Sequence, residues 1–520
     1  MNLLASLSIA SGSLNVIEAQ YAVTANNVAN ASTAGYVKET IATLSSVAGG
    51  VGAGVRLGAT QLSINQALQS SLYRQNAASS SYTTMSNSLA ALSAVQGSTS
   101  ADSGSTTSLT DQLGNLQSAL ISLTSTPSQA ASQSAVLNKA TAFVDTIHTL
   151  ASTYATQRQE AADNVVSTVS SVNSDLTQIG ALSQQIMKFK GLGQNTADLE
   201  NQRLGVMADL STNLNVSFAS DSNGDMMVQT ADGTRLPTRP DQVGQENSSQ
   251  TLPSSTWPLV TSSATLSASM AYSKQDSKTS VPAITLAGQD ITSSLTGGSL
   301  GADISLRDTV YPQMQTQLDS FSYTVMNRFS SAGLPLFTTG AGSSSVISGS
   351  DLTKPAPDGI VGLSSGLSVS AAYTAKPSLL TTITKSDGTT SSSDTSVIST
   401  VLSAGFGSDA DQVGGTLAAP TTGLGPDGSF STGYSGNQGL LALSSSLTSN
   451  QGATIAAANA GVTSSSAVLT LLQTKVADVS GVNVNDEMAK TVALQNAYTA
   501  NAKIISAVQT MFNALLGAIQ

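Results

Sequence analysis

Cysteine is absent from the 520-residue sequence, and histidine, charged and aromatic residues are scarce. Without cysteine the chain has no disulfides, no thiol nucleophile and no thiolate-ligated metal. Because His148 is the only histidine in the sequence, zinc sites with paired histidine ligands are excluded. Charged residues make up 10% of the chain and aromatic residues 4%. That composition favours long, alanine-rich helices packed side by side over a deep enzyme pocket.

The few charges are mostly negative, with a formal net charge of −11 and 20 Lys and Arg residues that form no basic run. This argues against a nucleic-acid partner, because phosphate binding needs a dense basic surface. No stretch approaches the ~18 consecutive apolar residues of a membrane span, so no membrane insertion is predicted. No Lys or Arg precedes the first apolar residues of Met1–Ala5, so we expect no Sec signal peptide.

The first segment, Leu3 to Val28, predicts an amphipathic helix. Its apolar residues recur at alternating spacings of four and three, which is typical of a coiled-coil seam. The cluster from Asn26 to Gly35 predicts a helix stop and a turn. Residues 37 to 47 predict a short strand or hairpin, and the glycines at 49 to 54 are interpreted as a linker. The seam comprises Leu3, Leu7, Ala10, Leu14, Ile17, Tyr21, Thr24 and Val28.

Helical periodicity covers residues 61 to 203. Apolar residues keep the same spacing on both sides of residues 161 to 164. The sequence therefore predicts two long, antiparallel helices with a break there, or one run continuous through it. Short alternating runs between turn sequences predict strands over residues 214 to 296. A further helix is predicted at residues 308 to 329.

The predicted fold class is α+β and multidomain, because the chain is too long for one compact core. We expect long coiled-coil-like helices at both termini. We also expect a helical-bundle core, with β-rich outer domains inserted into the chain. The predicted units are an inner domain (1–60 paired with 476–520), a helical bundle (61–213, 297–339 and 431–475), a β-rich insertion (214–296) and a Ser/Thr/Gly-rich second insertion (340–430).

The last predicted helix, over residues 486 to 519, carries two stripes at heptad spacing. The stripes are offset by one residue, or about 100° around the helix. One partner needs only one seam, so two adjacent seams predict several neighbours. One stripe is Met488, Thr491, Gln495, Tyr498, Ala502, Ile505, Gln509, Phe512, Leu516 and Ile519; the other is Leu494, Ala497, Asn501, Ile504, Val508, Met511, Leu515 and Ala518.

The sequence predicts no catalytic, cofactor-binding or metal-binding site. His148 lies off the apolar stripe of its helix and is interpreted as solvated or partly packed. Residues 221 to 225 resemble half of a calcium loop, but glycine stands fourth and the twelfth position is Asp232, so a β-turn is favoured.

The carboxylate pairs in the sequence also have no further residues beside them that would complete a catalytic or metal-binding site. Asp198 and Glu200 precede Arg203 and predict an ordinary surface pair. Asp486 and Glu487 begin a helix, where carboxylates favour the dipole. We therefore interpret the chain as a non-enzyme.

Segments at both ends resemble the signature of flagellar rod, hook and hook-associated proteins. Residues 25 to 36 are similar to the family's Asn-Asn-x-Ala-Asn run, small-residue turn and Gly-Tyr, although Thr33-Ala34 stands where many relatives carry proline. Residues 479 to 505 resemble the family's C-terminal motif. Residues 198 to 203 and 297 to 308 narrow the resemblance to the hook-associated protein 1 branch.

The resemblance implies a structural subunit that joins hook to filament and is required for flagellum assembly. Such proteins leave the cell unfolded through the flagellar type III apparatus and work extracellularly at the hook–filament junction. The implied partners are copies of the chain in a helical ring, the hook protein, the next junction protein toward the filament and an export chaperone. No cofactor is implied.

We predict that the terminal helices order only against such partners. The predicted assembly residues are Leu3, Leu7, Leu14, Ile17, Tyr21, Met488, Tyr498, Ile505, Val508, Phe512, Leu515, Leu516 and Ile519. The predicted turn residues are Asn26, Asn27, Asn30, Gly35 and Tyr36.

Three alternatives stay open at this point. Another axial protein, such as the hook subunit, shares the N-terminal motif but is usually richer in β structure directly after it. An outer-surface adhesive component would use the Ser/Thr-rich insertion. A peptidoglycan-cleaving enzyme on an axial scaffold would need paired acidic residues or a metal site.

Overall fold

The computed structural model describes residues 3–33, 35–48, 50–96, 108–244, 251–273, 280–339, 360–384, 389–407 and 417–518. Within these ranges the chain forms long helices and small antiparallel sheets of two or three strands. The α+β class predicted from the sequence is confirmed.

The N-terminal segment is a helix followed by a β-hairpin. Helix α1 (Leu3–Ala29) leads to strands β1 (Glu39–Ala48) and β2 (Val51–Leu62), which pair antiparallel. The interpretation of residues 49 to 54 as a linker is wrong, because Gly52 and Gly54 lie within β2. Gly54 has a φ of +94°, and a Cβ there would lie 3.3 Å from Cγ2 of Ile9. Glycine thus allows the hairpin to lie directly against α1.

Helices α2 (Gln66–Gln96), α3 (Leu109–Ser125), α4 (Ala130–Gly191) and α5 (Ala197–Asn213) follow. Helix α4 passes through residues 161 to 164 without a break, so the alternative of two antiparallel helices is wrong. Buried residues continue at helical spacing across that point, at Tyr154, Arg158, Ala161 and Val165. No glycine or proline lies there to end the helix.

The predicted β-rich segment contains two three-stranded sheets. One is formed by β3 (Val216–Ser220), β4 (Met226–Thr230) and β5 (Arg235–Leu236), the other by β6 (Leu259–Val260), β7 (Thr285–Leu286) and β8 (Gln289–Asp290). Between β3 and β4, the Asp221 carboxylate accepts hydrogen bonds from the backbone N of Asn223 at 2.9 Å and of Asp225 at 2.8 Å. These bonds close a β-turn, as the sequence favoured over a calcium loop.

The next helices are α6 (Gly298–Ser305) and α7 (Tyr311–Ser331), joined by a π-helical segment at Leu306–Val310. The chain then forms β9 (Phe337–Thr339), α8 (Leu363–Gly366), β10 (Leu367–Val369), α9 (Ala371–Ala375), β11 (Ile383–Thr384), β12 (Thr390–Ser391) and α10 (Ser396–Thr400).

The predicted second insertion, residues 340 to 430, falls partly outside the described residues, at 340–359, 385–388 and 408–416. In its described part, Ile360, Leu367 and Ile398 pack into the same hydrophobic cluster as α7. The division of the chain into four units stays a prediction.

Two hydrophobic clusters form the interior of the described part. One lies among α3, the first half of α4, α7 and the start of α11 (Leu440–Ser480). The other joins the second half of α4 and α5 to β3, β4 and β5. Helix α11 packs along α2 toward the hairpin, where the carbonyl of Ser480 accepts a hydrogen bond from Lys38 N at 2.8 Å. Helix α12 (Val484–Gly517) starts next to this point.

The segment Leu440–Gly517 is long and apolar enough, by length and composition, to cross a membrane. Its best 18-residue window has a mean hydropathy of 1.4 and is 17% buried in the single copy. Polar residues interrupt the segment, so no uninterrupted apolar run of ~18 residues occurs in it and the sequence predicted no span. Length and composition alone do not distinguish a membrane span from a helix that packs in an assembly.

Candidate functional site

Helices α1 and α12 pack against each other in antiparallel directions. Ile17 and Tyr21 of α1 line a groove with Leu494 and Tyr498 of α12. Farther along, Asn27 near the end of α1 contacts Glu487 in the first turn of α12. The two ends of the chain are therefore brought together within one copy.

Of the predicted residues on α1, Ile17 and Tyr21 line this groove. Ile17 is buried, Leu3, Leu7 and Leu14 are half-buried, and Tyr21 is exposed. The other buried residues of this helix are Ala10, Val16, Thr24 and Asn27.

Helix α12 is far less covered. Of its 34 residues only Glu487 and Val508 are buried. Among the predicted residues, Ile505 and Phe512 are half-buried, whereas Met488, Tyr498, Leu515 and Leu516 are exposed; Ile519 lies outside the described residues. Its least exposed line is Glu487, Thr491, Leu494, Asn501, Ile505, Val508 and Phe512.

This contact line takes residues from both predicted stripes and runs between them. Neither stripe is covered as a whole in a single copy, so both flanks of α12 keep apolar side chains on the surface. The assembly role of these residues stays a prediction.

The asparagine-rich turn after α1 is organised by Asn27, which is completely buried. Its Oδ1 accepts hydrogen bonds from Glu39 N at 2.9 Å and from the Tyr36 hydroxyl at 3.0 Å. Its Nδ2 donates to the carbonyl oxygen of Glu39 at 2.9 Å. One amide side chain thus pairs with both backbone groups of the first strand residue and fixes the hairpin against the helix.

The other turn residues complete this arrangement. Asn30 Nδ2 donates to the carbonyl and side-chain oxygens of Asn26, at 3.1 and 2.9 Å, which satisfies acceptors at the end of the helix. Asn26 Nδ2 donates to Asp198 Oδ1 on α5 at 2.9 Å. Gly35 has a φ of +76°, a conformation that favours glycine.

Glu487 is a buried anion shared by the two chain ends. Its carboxylate lies 3.1 Å from Lys38 Nζ and 2.9 Å from Lys490 Nζ, and Asn27 Nδ2 donates to it at 3.4 Å. Burial acts to raise the pKa of Glu487, but the hydrogen bonds from Lys490, Lys38 and Asn27 outweigh it and hold the pKa below its ordinary value. The residue therefore does more than the dipole role predicted from its position in the sequence.

Glu39, a second buried carboxylate, faces the central helices instead. Asn201 Nδ2 on α5 donates to it at 3.2 Å. Burial, followed by the nearby charge of Asp198, raises the pKa of Glu39. Glu39 and Glu487, the two buried glutamates next to the turn after α1, therefore have pKa values shifted in opposite directions.

Helix α5 docks onto the turn through Asn201, a residue that sequence reasoning missed as a contact. Asn201 Oδ1 accepts from Val37 N at 2.9 Å, and its Nδ2 donates to the carbonyl of Val37 at 3.0 Å. Its sequence signal was present only as part of the family resemblance at residues 198 to 203.

The predicted surface role of Arg203 is wrong. Its guanidinium is buried and donates to Ser183 Oγ at 3.0 Å and to the carbonyl of Gly224 at 2.7 Å. It therefore holds the β3–β4 turn against α4. His148 is half-buried, and its Nε2 lies 2.7 Å from the carbonyl oxygen of Leu367.

No group of three or more His, Asp or Glu side chains that could hold a metal occurs within the described ranges. A cavity of about 50 Å³ lies beside Tyr154, Arg158, Tyr311 and Asp319. Burial raises the pKa of Asp319 to about 6, and its carboxylate accepts hydrogen bonds from the backbone of Gly362 and Ser364. These bonds hold residues 360 to 364 against α7.

Comparison with known proteins agrees with this architecture in two separate regions. Residues 98–333 match the family model described as the flagellar hook-associated protein FlgK helical domain. Residues 477–518, which include α12, match the model described as the flagellar basal body rod FlgEFG protein C-terminal.

Flagellar hook-associated protein 1 of Bacillus subtilis (strain 168) is 26% identical over 241 residues, covering 44% of this chain and 46% of the relative. The structure of the flagellar hook junction protein FlgK from Burkholderia pseudomallei is similar with a TM-score of 0.40 and 20% identity, over 52% of this chain and 47% of that one. The matched regions thus span about half the length of these relatives. The middle of this chain is therefore similar to flagellar hook-associated protein 1, and its C-terminal helix is similar to the C-terminal region of flagellar rod and hook proteins.

Proposed function

We propose that the chain is a structural, non-enzymatic subunit of the bacterial flagellum that joins the hook to the filament and is required for flagellum assembly. The observation that carries the proposal is the exposure of α12, a 34-residue helix on which only two residues are buried in the single copy. Such a helix needs further neighbours to cover its apolar side chains.

The exposed side chains on α12 are large. Those on its surface include Val484, Met488, Val492, Tyr498, Ile504, Met511, Leu515 and Leu516. Burying one such side chain contributes roughly 1.5–3 kcal/mol. Because they lie on both flanks of the contact with α1, a single additional helix would leave one flank uncovered. Copies of the chain around a tube would cover both.

The family match supports the remaining parts of the proposal. The chain would leave the cell by flagellar type III export, accompanied beforehand by an export chaperone, and act extracellularly. In the junction it would form a helical ring with copies of itself, between the hook protein and the next junction protein toward the filament.

Deletion of residues 486 to 520 tests the role of the C-terminal helix. We expect cells carrying the truncated chain to build hooks without attached filaments, because the predicted inner domain loses one of its two terminal helices. Circular dichroism and limited proteolysis of the purified variant should show that α2 to α7 remain folded. Normal swimming with the truncated chain would contradict the proposal.

Antibody labelling of intact flagella in the electron microscope tests the location. A band at the distal end of the hook is expected. Label along the whole length of the hook would instead identify the chain as a hook subunit, which is the runner-up assignment.

A further inference from the structure

The paired helices carry two isolated and opposite charges. Glu18 is the only charged residue of α1, and Lys503 is the only one of α12 after Lys490. Both side chains are exposed, and no ion pair within the described residues includes either one. Each charge therefore stands alone on a helix surface made of apolar and small polar side chains.

The two charges are displaced from each other in a single copy. Glu18 lines the same groove as Leu494 and Tyr498. Lys503 lies about seven residues farther along α12 than the middle of that level, or about 10 Å along the helix axis. It is also about 200° around the helix from Ile505, a half-buried residue of the contact line. Lys503 therefore points away from α1 of its own copy.

We infer that Glu18 of one copy pairs with Lys503 of a neighbouring copy and thereby sets the axial register between adjacent subunits. The inference rests on the proposed self-assembly and adds the contact that positions one copy against the next. The outward position of Lys503 means that α1 of the neighbour approaches α12 from the side opposite α1 of its own copy, next to the exposed apolar side chains on the flanks.

Apolar contacts are not directional, so a polar or charged contact is needed to fix the axial alignment of neighbouring helices. Helices that bury alanine, valine and leucine along their length can slide by one turn at small cost. An isolated charge in such a surface favours the alignment that brings it to an opposite charge and disfavours the others. One acidic and one basic position per copy suffice for a head-to-tail contact that repeats around a tube.

Charge reversal of each position in the full chain tests the inference. Sedimentation velocity over a range of protein concentrations in low salt would compare wild type with Glu18→Lys, Lys503→Glu and the double variant. Each single reversal is expected to raise the concentration for half-association roughly fivefold, and the double reversal is expected to restore it. In about 1 M salt, where screening extends over only about 3 Å, the differences should shrink.

Mixing the two single variants separates pairing between copies from pairing within one. An alternating assembly of the two variants brings opposite charges together at every contact, so an equimolar mixture should associate like wild type. A pair within each copy would leave the mixture as weak as its components, and that result would overturn the inference.

Matched controls change the same charge elsewhere. Asp145→Lys and Lys139→Glu alter exposed positions on α4 by the same charge and should leave association unchanged. If wild type associates and the reversals at 18 and 503 behave like these controls, the register inference fails while the proposed function stands. If wild type neither associates nor labels the junction, the proposed function itself fails.

Discussion

At the scale of single residues, the turn after α1 depends on Asn27. The side chain is buried and hydrogen-bonds to both backbone groups of Glu39 and to the Tyr36 hydroxyl. Removing a buried amide also leaves its partners without hydrogen bonds, which usually costs more than the bond itself contributed. The family's asparagine run can therefore be explained here by a specific geometric requirement.

Asn27→Ala should lower the free energy of opening at the Glu39 amide by about 2–4 kcal/mol, because two backbone groups and a hydroxyl lose their partner. Native-state hydrogen exchange measures this value directly. Asn30→Ala is the matched control; that side chain is half-buried and bonds only within its own turn, so a loss below about 1 kcal/mol is expected. Equal effects of the two substitutions would contradict the assignment.

The two buried glutamates predict opposite responses to pH. The folded-state pKa of Glu39 is raised, so its stabilisation is present at low pH and is lost as the pH rises through that value. The pKa of Glu487 is lowered, so its contribution is present near neutrality and is lost as the pH falls through that lower value.

Glu39→Gln should therefore stabilise the protein at pH 7, by about 1 kcal/mol, because it removes a buried charge that faces Asp198 and keeps an oxygen for Asn201. The advantage should disappear near pH 4, where Glu39 itself is protonated. Urea unfolding followed by circular dichroism at both pH values tests this. Glu18→Gln, which changes an exposed carboxylate, should show no such difference; destabilisation by Glu39→Gln at pH 7 would contradict the stated cause.

At the scale of elements, the close packing of α2 on α11 depends on a glycine. A Cβ at Gly461 would lie 2.2 Å from the ring of Tyr82, so the two helices approach each other where no side chain fits. This pair connects the central clusters to the chain ends, and its geometry fixes where α12 begins.

Gly461→Ala should destabilise the protein by about 1–3 kcal/mol, since the Tyr82 ring or the helix must move. Thermal unfolding measures the change. Gly452→Ala lies in the same helix with nothing within 4 Å of the added Cβ, and should be neutral or stabilising by up to about 1 kcal/mol. If both substitutions stabilise equally, the close approach does not constrain this helix pair.

At the scale of the whole molecule, the helices differ in how much of their surface is buried by the rest of the chain. Helix α4 has 24 buried positions along its length, whereas α12 has two. Helix stability in proteins comes mainly from packing of the apolar face, so the two helices should differ in how often they open.

In the isolated monomer, the amides of α1 and α12 should exchange rapidly with solvent, while those in the middle of α4 stay protected. Hydrogen exchange with mass spectrometry measures both in one experiment, so α4 provides the internal control. On assembly, protection should appear at both ends of the chain. Strong protection of α12 in the monomer would contradict ordering by partners.

Local patterns explain which predictions from sequence are confirmed. The helix from Leu3, the strand after Val37 and the C-terminal helix follow from periodicity and turn residues, which depend on neighbours along the chain. The glycine segment was misinterpreted because glycine serves equally in linkers and in strands that lie close to a helix. Arg203 was misplaced because i to i+3 spacing gives no information on whether a third element covers the side chain.

The amino-acid sequence by itself determined the two terminal helices, the absence of thiol chemistry and the family motifs, since each depends on residue types at short spacing along the chain. Only the tertiary structure decided which residues form the hydrogen-bonded contact between the two chain ends and α5. Residues separated by up to 460 positions meet there, namely Asn27, Glu39, Asn201 and Glu487. The tertiary structure also decided that the contact line of α12 runs between its two apolar stripes. Which face of a helix is covered depends on the direction of its neighbour, and that direction is set by packing across the whole chain.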